Sequence, residues 1–470
     1  MKKYKKLFIR KGDKECVEAD INERIFIYEK KLKCYEKRLQ FRDANRKFEL
    51  YRGKFYSEIS GKENTINSDI PEDEVVKFWN SMWNNDAKNN NVDYEEFVNE
   101  YIEDKNQEPL QFISQDSFKE KLLYLPNLKA AGPDCIFNFF IKKMTSLHSH
   151  LYNIISKTCV EGLIEEDWYY TGITYLIPKG EPKKGSDFRP ITCMSNLYKL
   201  MTKCVTKVMQ FEIESRDLIS ENQLGTIRNV QSAKEQAMIN IALNKQYDNK
   251  LKTAWIDVKK AFDSINHDFL FKCIDCVNFP PWIKKFIRLI TSKWQLNIMY
   301  NNNIALKKSI KKGILQGDSL SPLLFILIMD PLSKRLNSIF PKVSIPISKE
   351  SSYTSNHLLF IDDLKILAET DKTLELITHE AKRFFEIVGL EMNIEKSATN
   401  SLILVSDAVI MQEGNCYKYL GILEDNNNQI STTNWDLLTS KVYARVKKLC
   451  KTLLNGINLM RGINEHAISY

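Results

Sequence analysis

The feature that most constrains this chain is the segment Leu358–Ala368, which is apolar on both sides of an Asp-Asp pair. This pattern predicts two buried strands joined by a tight turn that carries the two carboxylates. A second apolar run, Ala254-Trp255-Ile256, ends at Asp257. Charges at the tips of buried strands are costly without compensation, so Asp257, Asp362 and Asp363 need a counter-charge.

Divalent cations supply such a counter-charge. Mg²⁺ prefers oxygen ligands and keeps positions open for phosphate groups. Two such ions about 3.5–4 Å apart can activate an attacking oxygen and stabilise a leaving one. A plainer explanation competes at each site taken alone, because an Asp-Asp pair also suits a turn and Asp257 also suits a helix cap.

Two further features suit nucleotide handling. Phe262 follows Asp257 by five residues, where a ring could lie under a sugar and clash with a ribose 2′-OH; core packing explains it as well. Gln316-Gly317 lies in a loop that leads into a helix, with Ser321 as the expected N-cap. Glycine in this loop lets the backbone approach a ligand closely.

Three basic residues are candidates for binding the phosphates of a nucleotide. Lys179 follows a predicted strand, Thr174–Ile177, and Arg189 can pair bidentately with phosphate oxygens. Lys396 could protonate a leaving pyrophosphate. Each of the three, taken singly, also fits an ordinary surface charge.

The charge of the chain is concentrated near its start. Residues 1–60 hold 18 Lys and Arg against 10 Asp and Glu, and the whole 470-residue chain has a net charge of +8. A basic arm on a balanced body favours a polyanionic partner such as nucleic acid, although a solvated helix face explains it too. Scattered cysteines and short apolar runs predict a reduced, intracellular protein that does not span a membrane.

A set of motifs occurs along the chain in a fixed order. They are Leu-Lys-Ala-Ala-Gly-Pro-Asp (128–134), Leu-Ile-Pro-Lys (176–179), Phe-Arg-Pro-Ile-Thr (188–192), Asn-Gln-Leu-Gly-Thr (222–226), Asp-Val-Lys-Lys-Ala-Phe-Asp (257–263), Gln-Gly-Asp-Ser-Leu-Ser-Pro (316–322), Phe-Ile-Asp-Asp (360–363), Gly-Leu-Glu-Met-Asn (389–393) and Tyr-Leu-Gly (419–421). The set resembles that of reverse transcriptases of non-LTR retrotransposons, especially the site-specific kind with a restriction-like endonuclease.

The resemblance implies an α+β, right-hand polymerase fold. It divides the chain into a basic N-terminal helical extension (1–111), fingers and palm (112–424) and a partial helical thumb (425–470). It implies an RNA-directed DNA polymerase that adds deoxynucleotides to a primer 3′-OH with two Mg²⁺ ions, or Mn²⁺ as an alternative. Its expected partners are template RNA, a DNA primer and deoxynucleoside triphosphates, and its expected location is the nucleus.

The resemblance also assigns roles to individual positions. Asp257, Asp362 and Asp363 would be the catalytic metal ligands, and Val258 would belong to the same metal site. The nucleotide would be bound by Lys179, Arg189, Phe262, Gln316, Gly317 and Lys396, and the primer would be held by Tyr419, Leu420 and Gly421. One departure is Ile361, where many relatives have Ala.

Three alternatives stay open at this point. The chain could be a non-catalytic nucleic-acid-binding remnant, the reverse transcriptase of a group II intron, or a viral RNA-dependent RNA polymerase. We expect the rest of the thumb and an endonuclease domain to be absent from this chain. In a half-built thumb, Leu459, Ile463 and Ile468 would lack packing partners.

Overall fold

The computed structural model describes residues 14–60, 70–84, 94–98, 111–127, 129–162, 167–225, 232–248, 250–402 and 408–468. Some sequence features lie outside these ranges. They are the first 13 residues of the basic arm, most of the linker predicted from Asn84 to Asn91, and Leu128 and Thr226 of two motifs.

The chain forms two compact units. The terminal unit consists of Met1–Thr65 and Thr432–Tyr470, and the central unit consists of Ile66–Ser431. These boundaries differ from the three predicted segments, because residues 70–84 and 94–98 group with the central unit. The assignment of segments to fingers, palm and thumb stays a prediction.

The predicted α+β class is confirmed by the elements of the structure. The helices are α1 Lys14–Leu50, α2 Arg52–Ser60, α3 Glu72–Met82, α4 Glu95–Val98, α5 Gln115–Leu123, α6 Asn138–Lys143, α7 His148–Glu161, α8 Asn196–Ser215, α9 Ser232–Gln246, α10 Ala261–Ser264, α11 His267–Cys276, α12 Pro281–Lys293, α13 Ser321–Ile339, α14 Asp371–Val388, α15 Thr433–Cys450 and α16 Gly456–Gly462. The strands are β1 Thr171–Pro178, β2 Phe188–Cys193, β3 Lys252–Ile256, β4 Val258–Lys259, β5 Gln295–Tyr300, β6 Asn303–Ser309, β7 Val343–Pro346, β8 Ser352–Ser355, β9 His357–Phe360, β10 Asp363–Ala368, β11 Glu391–Met392, β12 Ala398–Thr399, β13 Val409–Ile410, β14 Cys416–Tyr419 and β15 Ile422–Asp425. Short 3₁₀ turns occur at Thr145–Leu147, Asp167–Tyr170 and Gly185–Asp187, and a π-helix at Ile463–Ile468.

Two sheets organise the central unit. The larger has the strand order β13-β12-β3-β10-β9, and β3, β10 and β9 are antiparallel neighbours. The smaller has the order β2-β1-β5-β6, in which β1 is antiparallel to β2 and parallel to β5. Three two-stranded ribbons, β4–β11, β7–β8 and β14–β15, lie outside these two sheets.

Helix α13 is buried along most of its length, as its apolar sequence predicts. Pro322 lies in its first turn, where the missing N–H of proline costs nothing. The prediction that Ser321 is the N-cap is wrong, because the helix already begins at Ser321 and Leu320 precedes it as the cap. Helix α3 buries Trp79, and Trp83, which directly follows the helix, is buried beside it with the two ring centroids 4.8 Å apart.

The terminal unit joins the two ends of the chain. Phe48 of α1 and Phe55 of α2 are buried in one cluster with Leu449 and Ala467. The amide of Asn45 donates to the carbonyl of Leu453 (2.9 Å). The N-terminal part of α1 is exposed, including the tyrosines and leucines at positions 28, 32, 35 and 39.

The expectation that Leu459 and Ile463 lack packing partners is wrong. Both are partly buried against the cluster around Phe48, because α1 and α2 cover this part of the C-terminal helices. Ile468 is exposed, as expected. None of the described helices is both long and apolar enough to cross a bilayer.

Candidate active site

The three predicted aspartates lie at adjoining strand ends. Strands β3 and β10 pair with Leu364 opposite Ile256, so Asp257 leaves β3 beside the residue at which β10 begins, Asp363. Phe360 of β9 pairs with Asp363 across a two-residue turn that contains Asp362. The predicted strand–turn–strand is therefore confirmed, and both aspartates of the pair lie at its tip.

The side chain of Gln223 holds this turn. Its Oε1 accepts hydrogen bonds from the backbone N–H groups of Ile361 (2.9 Å) and Gly225 (3.0 Å), and its Nε2 donates to the Ile361 carbonyl (3.4 Å). Ile361 has a φ of +58°, a strained conformation for a β-branched residue. Because Gln223 is almost fully buried, water competes little for its bond to Gly225, while its bonds to Ile361 are only partly shielded.

Asp257 is positioned from the other side by the segment after β11. The amide of Asn393 donates to Asp257 Oδ2 (2.7 Å), and its backbone N–H donates to the Asp257 carbonyl (2.8 Å). The Asp257 N–H donates to Ser397 Oγ (3.1 Å). One carboxylate oxygen is thus held by the protein.

The carboxylates repel one another. Burial raises the pKa of Asp362, and the negative charge of Asp257 raises it further, whereas Arg189 and Lys179 oppose the rise. Partial burial, followed by the charges of Asp362 and Asp257, raises the pKa of Asp363 to about 6. The site therefore concentrates negative charge that the nearby basic side chains only partly balance.

The predicted phosphate-binding residues lie around these carboxylates. Burial lowers the pKa of Lys179, and the positive charges of Arg189 and Lys396 lower it further, while Asp263 and Asp257 oppose the shift. Lys179 directly follows β1, and Arg189 lies in the neighbouring strand β2, where it pairs with Ile177. The structure brings these three cations and the aspartates together from distant parts of the chain.

The loop at Gln316-Gly317 packs on strand β2. The Gln316 carbonyl accepts from the Thr192 N–H (2.8 Å), and its side-chain amide donates to Asp263 Oδ2 (3.1 Å). Gly317 has a φ of +112°, and a Cβ there would lie 2.7 Å from the Thr192 carbonyl oxygen. Only glycine fits this close approach.

Phe262 is partly buried, and its ring stacks on Phe325 of α13 at a centroid distance of 4.9 Å. Core packing is thus one role of this side chain, and its action on a sugar stays a prediction. The adjacent Asp263 is fully buried, which raises its pKa to about 7 against the opposing charge of Lys260.

Tyr419, Leu420 and Gly421 form the end of the β14–β15 hairpin. Tyr419 pairs with Ile422, so Leu420 and Gly421 are the turn, with φ values of +45° and +90°. Tyr419 is buried, and Gln236 of α9 lies 3.5 Å from its hydroxyl. Its role in holding a primer stays a prediction.

The donor set at the strand ends consists of carboxylate oxygens, which suits a hard cation such as Mg²⁺. The apolar side chain of Val258 is buried, so only its backbone carbonyl could contribute a ligand. Among the residues that the structure describes, no three His, Cys, Asp or Glu side chains form a ready-made metal cluster. Metal binding at Asp257, Asp362 and Asp363 therefore stays a prediction, which the donor chemistry supports.

Two residues that shape the site lie in the motifs but have no role predicted from the sequence. Gln223 holds the turn and Asn393 holds Asp257, and both are polar residues next to apolar ones. Their presence in the motifs was the only sequence signal for a role in the site. The hydrophobic periodicity around Gln223 and Asn393 does not show what their side-chain amides contact.

Comparison with known families gives one match over about half of the chain. The family model described as "Reverse transcriptase (RNA-dependent DNA polymerase)" matches residues 181–423, a range that contains all three aspartates. A solved structure of apo telomerase from Candida Tropicalis aligns with 68% of this chain and 61% of its own chain, at a TM-score of 0.42 and 14% identity.

Several curated relatives are retrotransposon proteins. The chain is 26% identical over 254 residues to the "Retrovirus-related Pol polyprotein from type-1 retrotransposable element R2" of Popillia japonica, covering 53% of this chain and 34% of the relative. It is 27% identical over 345 residues to the protein of the same description from Nasonia vitripennis, covering 68% and 32%. The corresponding type-2 protein R2DM of Drosophila melanogaster is 26% identical over 229 residues, covering 48% and 21%. The chain thus spans about a third or less of the length of these relatives, whose descriptions favour neither the group II intron nor the viral alternative.

Proposed function

The chain belongs to the reverse transcriptase family, of the non-LTR retrotransposon type with a right-hand polymerase fold, and from this premise we propose that it is an RNA-directed DNA polymerase. The reaction is the addition of deoxynucleotides to a primer 3′-OH on an RNA template. The observation that carries the proposal is the convergence of Asp257, Asp362 and Asp363 at adjoining strand ends inside the matched range.

Reverse transcriptases generally use divalent metal ions. Asp257, Asp362 and Asp363, with the backbone carbonyl of Val258, would hold two Mg²⁺ ions or Mn²⁺ in their place. The ions would supply the charge that activates the 3′-OH and stabilises the leaving pyrophosphate. Asn393 donates to Oδ2 of Asp257 and not to Oδ1. The Oδ1 atom would therefore be available as a metal ligand.

The remaining residues bind and orient the substrates. Lys179 and Arg189 bind the triphosphate, and Lys396 delivers a proton to the departing pyrophosphate. Phe262 packs under the sugar of the incoming nucleotide, and the Gln316-Gly317 backbone lies along the nucleotide and template. Phosphoryl transfer of this kind depends on positioning and electrostatics, so these contacts would supply most of the rate.

The hairpin turn at Tyr419, Leu420 and Gly421 holds the end of a DNA primer. The exposed face of α1, which carries lysines and tyrosines, binds template RNA through phosphate contacts. A protein acting on chromosomal target DNA would work in the nucleus.

The test is primer extension on a primed RNA template with deoxynucleotides and Mg²⁺. We expect Asp257→Asn and Asp362→Asn to abolish extension while leaving unfolding and RNA binding nearly unchanged. Asp248→Asn is the matched control, because Asp248 is exposed and makes only a loose ion pair with Lys250 (3.8 Å). Extension by Asp257→Asn at the unmodified rate would refute the assignment.

A second arm of the same experiment tests the metal. Removal of divalent ions by EDTA should stop extension, and added Mg²⁺ or Mn²⁺ should restore it. An unmodified chain that binds RNA but extends no primer under any of these conditions would instead support the non-catalytic remnant.

A further inference from the structure

A lysine and a glutamate are buried together behind the catalytic strands. Lys365 lies in β10 two residues after Asp363, and its side chain is 0% exposed. Its Nζ lies 2.7 Å from Oε2 of Glu424, which lies in β15 and is 1% exposed. Lysine and glutamate are rarely buried to this extent unless paired.

Every polar group of the pair has a partner. Lys365 Nζ also donates to Asn240 Oδ1 (2.7 Å), and Glu424 Oε2 also accepts from Trp255 Nε1 (3.0 Å). The second oxygen of Glu424 accepts from the Asn240 amide. The ammonium group lies over the rings of Trp255 (5.0 Å) and Tyr419 (5.4 Å).

These contacts join four separate elements. Trp255 lies in β3, two residues before Asp257, and Lys365 lies two residues after Asp363. Asn240 lies in α9, and Glu424 lies in the β14–β15 hairpin, whose Tyr417 stacks on Trp255 at 5.3 Å. The network therefore links the hairpin to β3, which Asp257 follows, and to β10, which begins at Asp363.

Stability alone does not explain a buried ion pair here. Two charges lose their hydration on burial, and a well-packed apolar pair of similar volume is often as stable or more so. A directional, fully hydrogen-bonded pair differs from an apolar contact because it permits only one register between the elements that it joins.

We propose that Lys365 and Glu424 are positioning residues that hold the β14–β15 hairpin in one register against β3 and β10. This inference rests on the proposed function in one respect: the hairpin would then set the distance between the primer 3′ end and the catalytic aspartates. In this role the pair would act through the hairpin and not by contact with substrate or metal.

The test uses the double variant Lys365→Met with Glu424→Gln. Methionine keeps most of the lysine volume, and glutamine can still accept from Trp255, so the variant removes both charges and leaves no buried ion unpaired. The matched control applies the same two substitutions to the exposed pair Lys272 and Glu95, whose charged atoms are 3.5 Å apart.

Two measurements are made on the full chain. Hydrogen exchange of the hairpin amides, residues 416–425, should be at least about tenfold faster in the double variant, while the amides of β3 and the unfolding midpoint stay close to those of the control. In primer extension, the KM for the primed template should rise about tenfold or more, with a smaller change in the KM for deoxynucleotides.

The outcomes separate the two proposals. Unchanged exchange in the hairpin would overturn the positioning role, whether or not the chain extends primers. Faster exchange with an unchanged primer KM would overturn the link from the hairpin to the primer. A parent chain with no extension at all would count against the proposed function, while the exchange measurement would still decide whether the pair fixes the hairpin.

Discussion

Replacing Gln223 by Leu should loosen the catalytic turn and reduce activity. Leucine fills much of the same space but accepts no hydrogen bond, so the N–H groups of Ile361 and Gly225 lose their shared acceptor. The buried Gly225 donor would cost about 1–3 kcal/mol of the free energy of unfolding when left unsatisfied, and the partly buried Ile361 donor would cost less because water can reach it. The turn can avoid part of this loss by opening, which would move Asp362.

The strain at Ile361 sharpens this expectation. A β-branched residue at φ +58° costs about 1–3 kcal/mol, and the bonds to Gln223 are what hold it there. Without them, a shift of the turn by about 1 Å would lower the rate of the chemical step about 10²-fold. Adding Ile361→Gly to Gln223→Leu should recover part of the stability, because glycine adopts this conformation freely.

The assays are urea unfolding and single-turnover primer extension. Gln115→Leu is the control, since Gln115 is partly exposed and its amide bonds Ser149 (2.7 Å) far along the chain from the turn. The control should keep both the unfolding midpoint and the extension rate. If Gln223→Leu also keeps both, Gln223 does not hold the catalytic turn.

Three further outcomes are expected. Phe262→Ala should increase the incorporation of ribonucleotides relative to deoxynucleotides, and an unchanged ratio would leave Phe262 with its stacking on Phe325 alone. Burial lowers the pKa of His357 from 6.5 to about 3, so the unfolded state binds the proton more tightly. Stability should be full above about pH 6.5 and fall by about 5 kcal/mol as the pH drops to about 3, and urea unfolding should show a flatter profile for His357→Gln. Deleting residues 1–40 should weaken RNA binding and reduce its salt dependence, and equal slopes of affinity against salt would show that α1 is only a solvated helix.

The sequence predicted best those parts of the fold whose signal is local. The hairpin at Asp362 and Asp363 follows from the apolar runs on both sides of the Asp-Asp pair, although the turn itself consists of Ile361 and Asp362 and β10 already begins at Asp363. The burial of α13 follows from its nearly continuous apolar sequence. Such patterns reflect the period of a single element and need no knowledge of its neighbours.

The contacts between distant segments could not be predicted in this way. Lys365 interrupts an apolar strand, and its partner Glu424 lies 59 residues further along the chain. Glu424 lies three residues after the Tyr-Leu-Gly motif (419–421), from which only a turn was predicted. Leu459 and Ile463 were expected to be unpartnered because Phe48, which covers them, lies about 400 residues earlier. A single sequence can show that a residue such as Lys365 is out of place in an apolar strand, but it cannot show which distant residue contacts it.

The terminal unit has a consequence for the biosynthesis of the chain. Helix α1 is synthesised well before the segment that it packs on, because the Leu453 carbonyl that bonds Asn45 is made 408 residues later. At a typical 5–20 residues per second, roughly 20–80 s pass between the two events. During this interval Phe48 and Phe55 have no apolar partner from α15 or the π-helix. The nascent α1–α2 segment therefore exposes an apolar surface that chaperones or other chains can bind. The central unit, which is continuous in sequence, can finish folding first, so α1 and α2 reach their final packing after residues that are synthesised later.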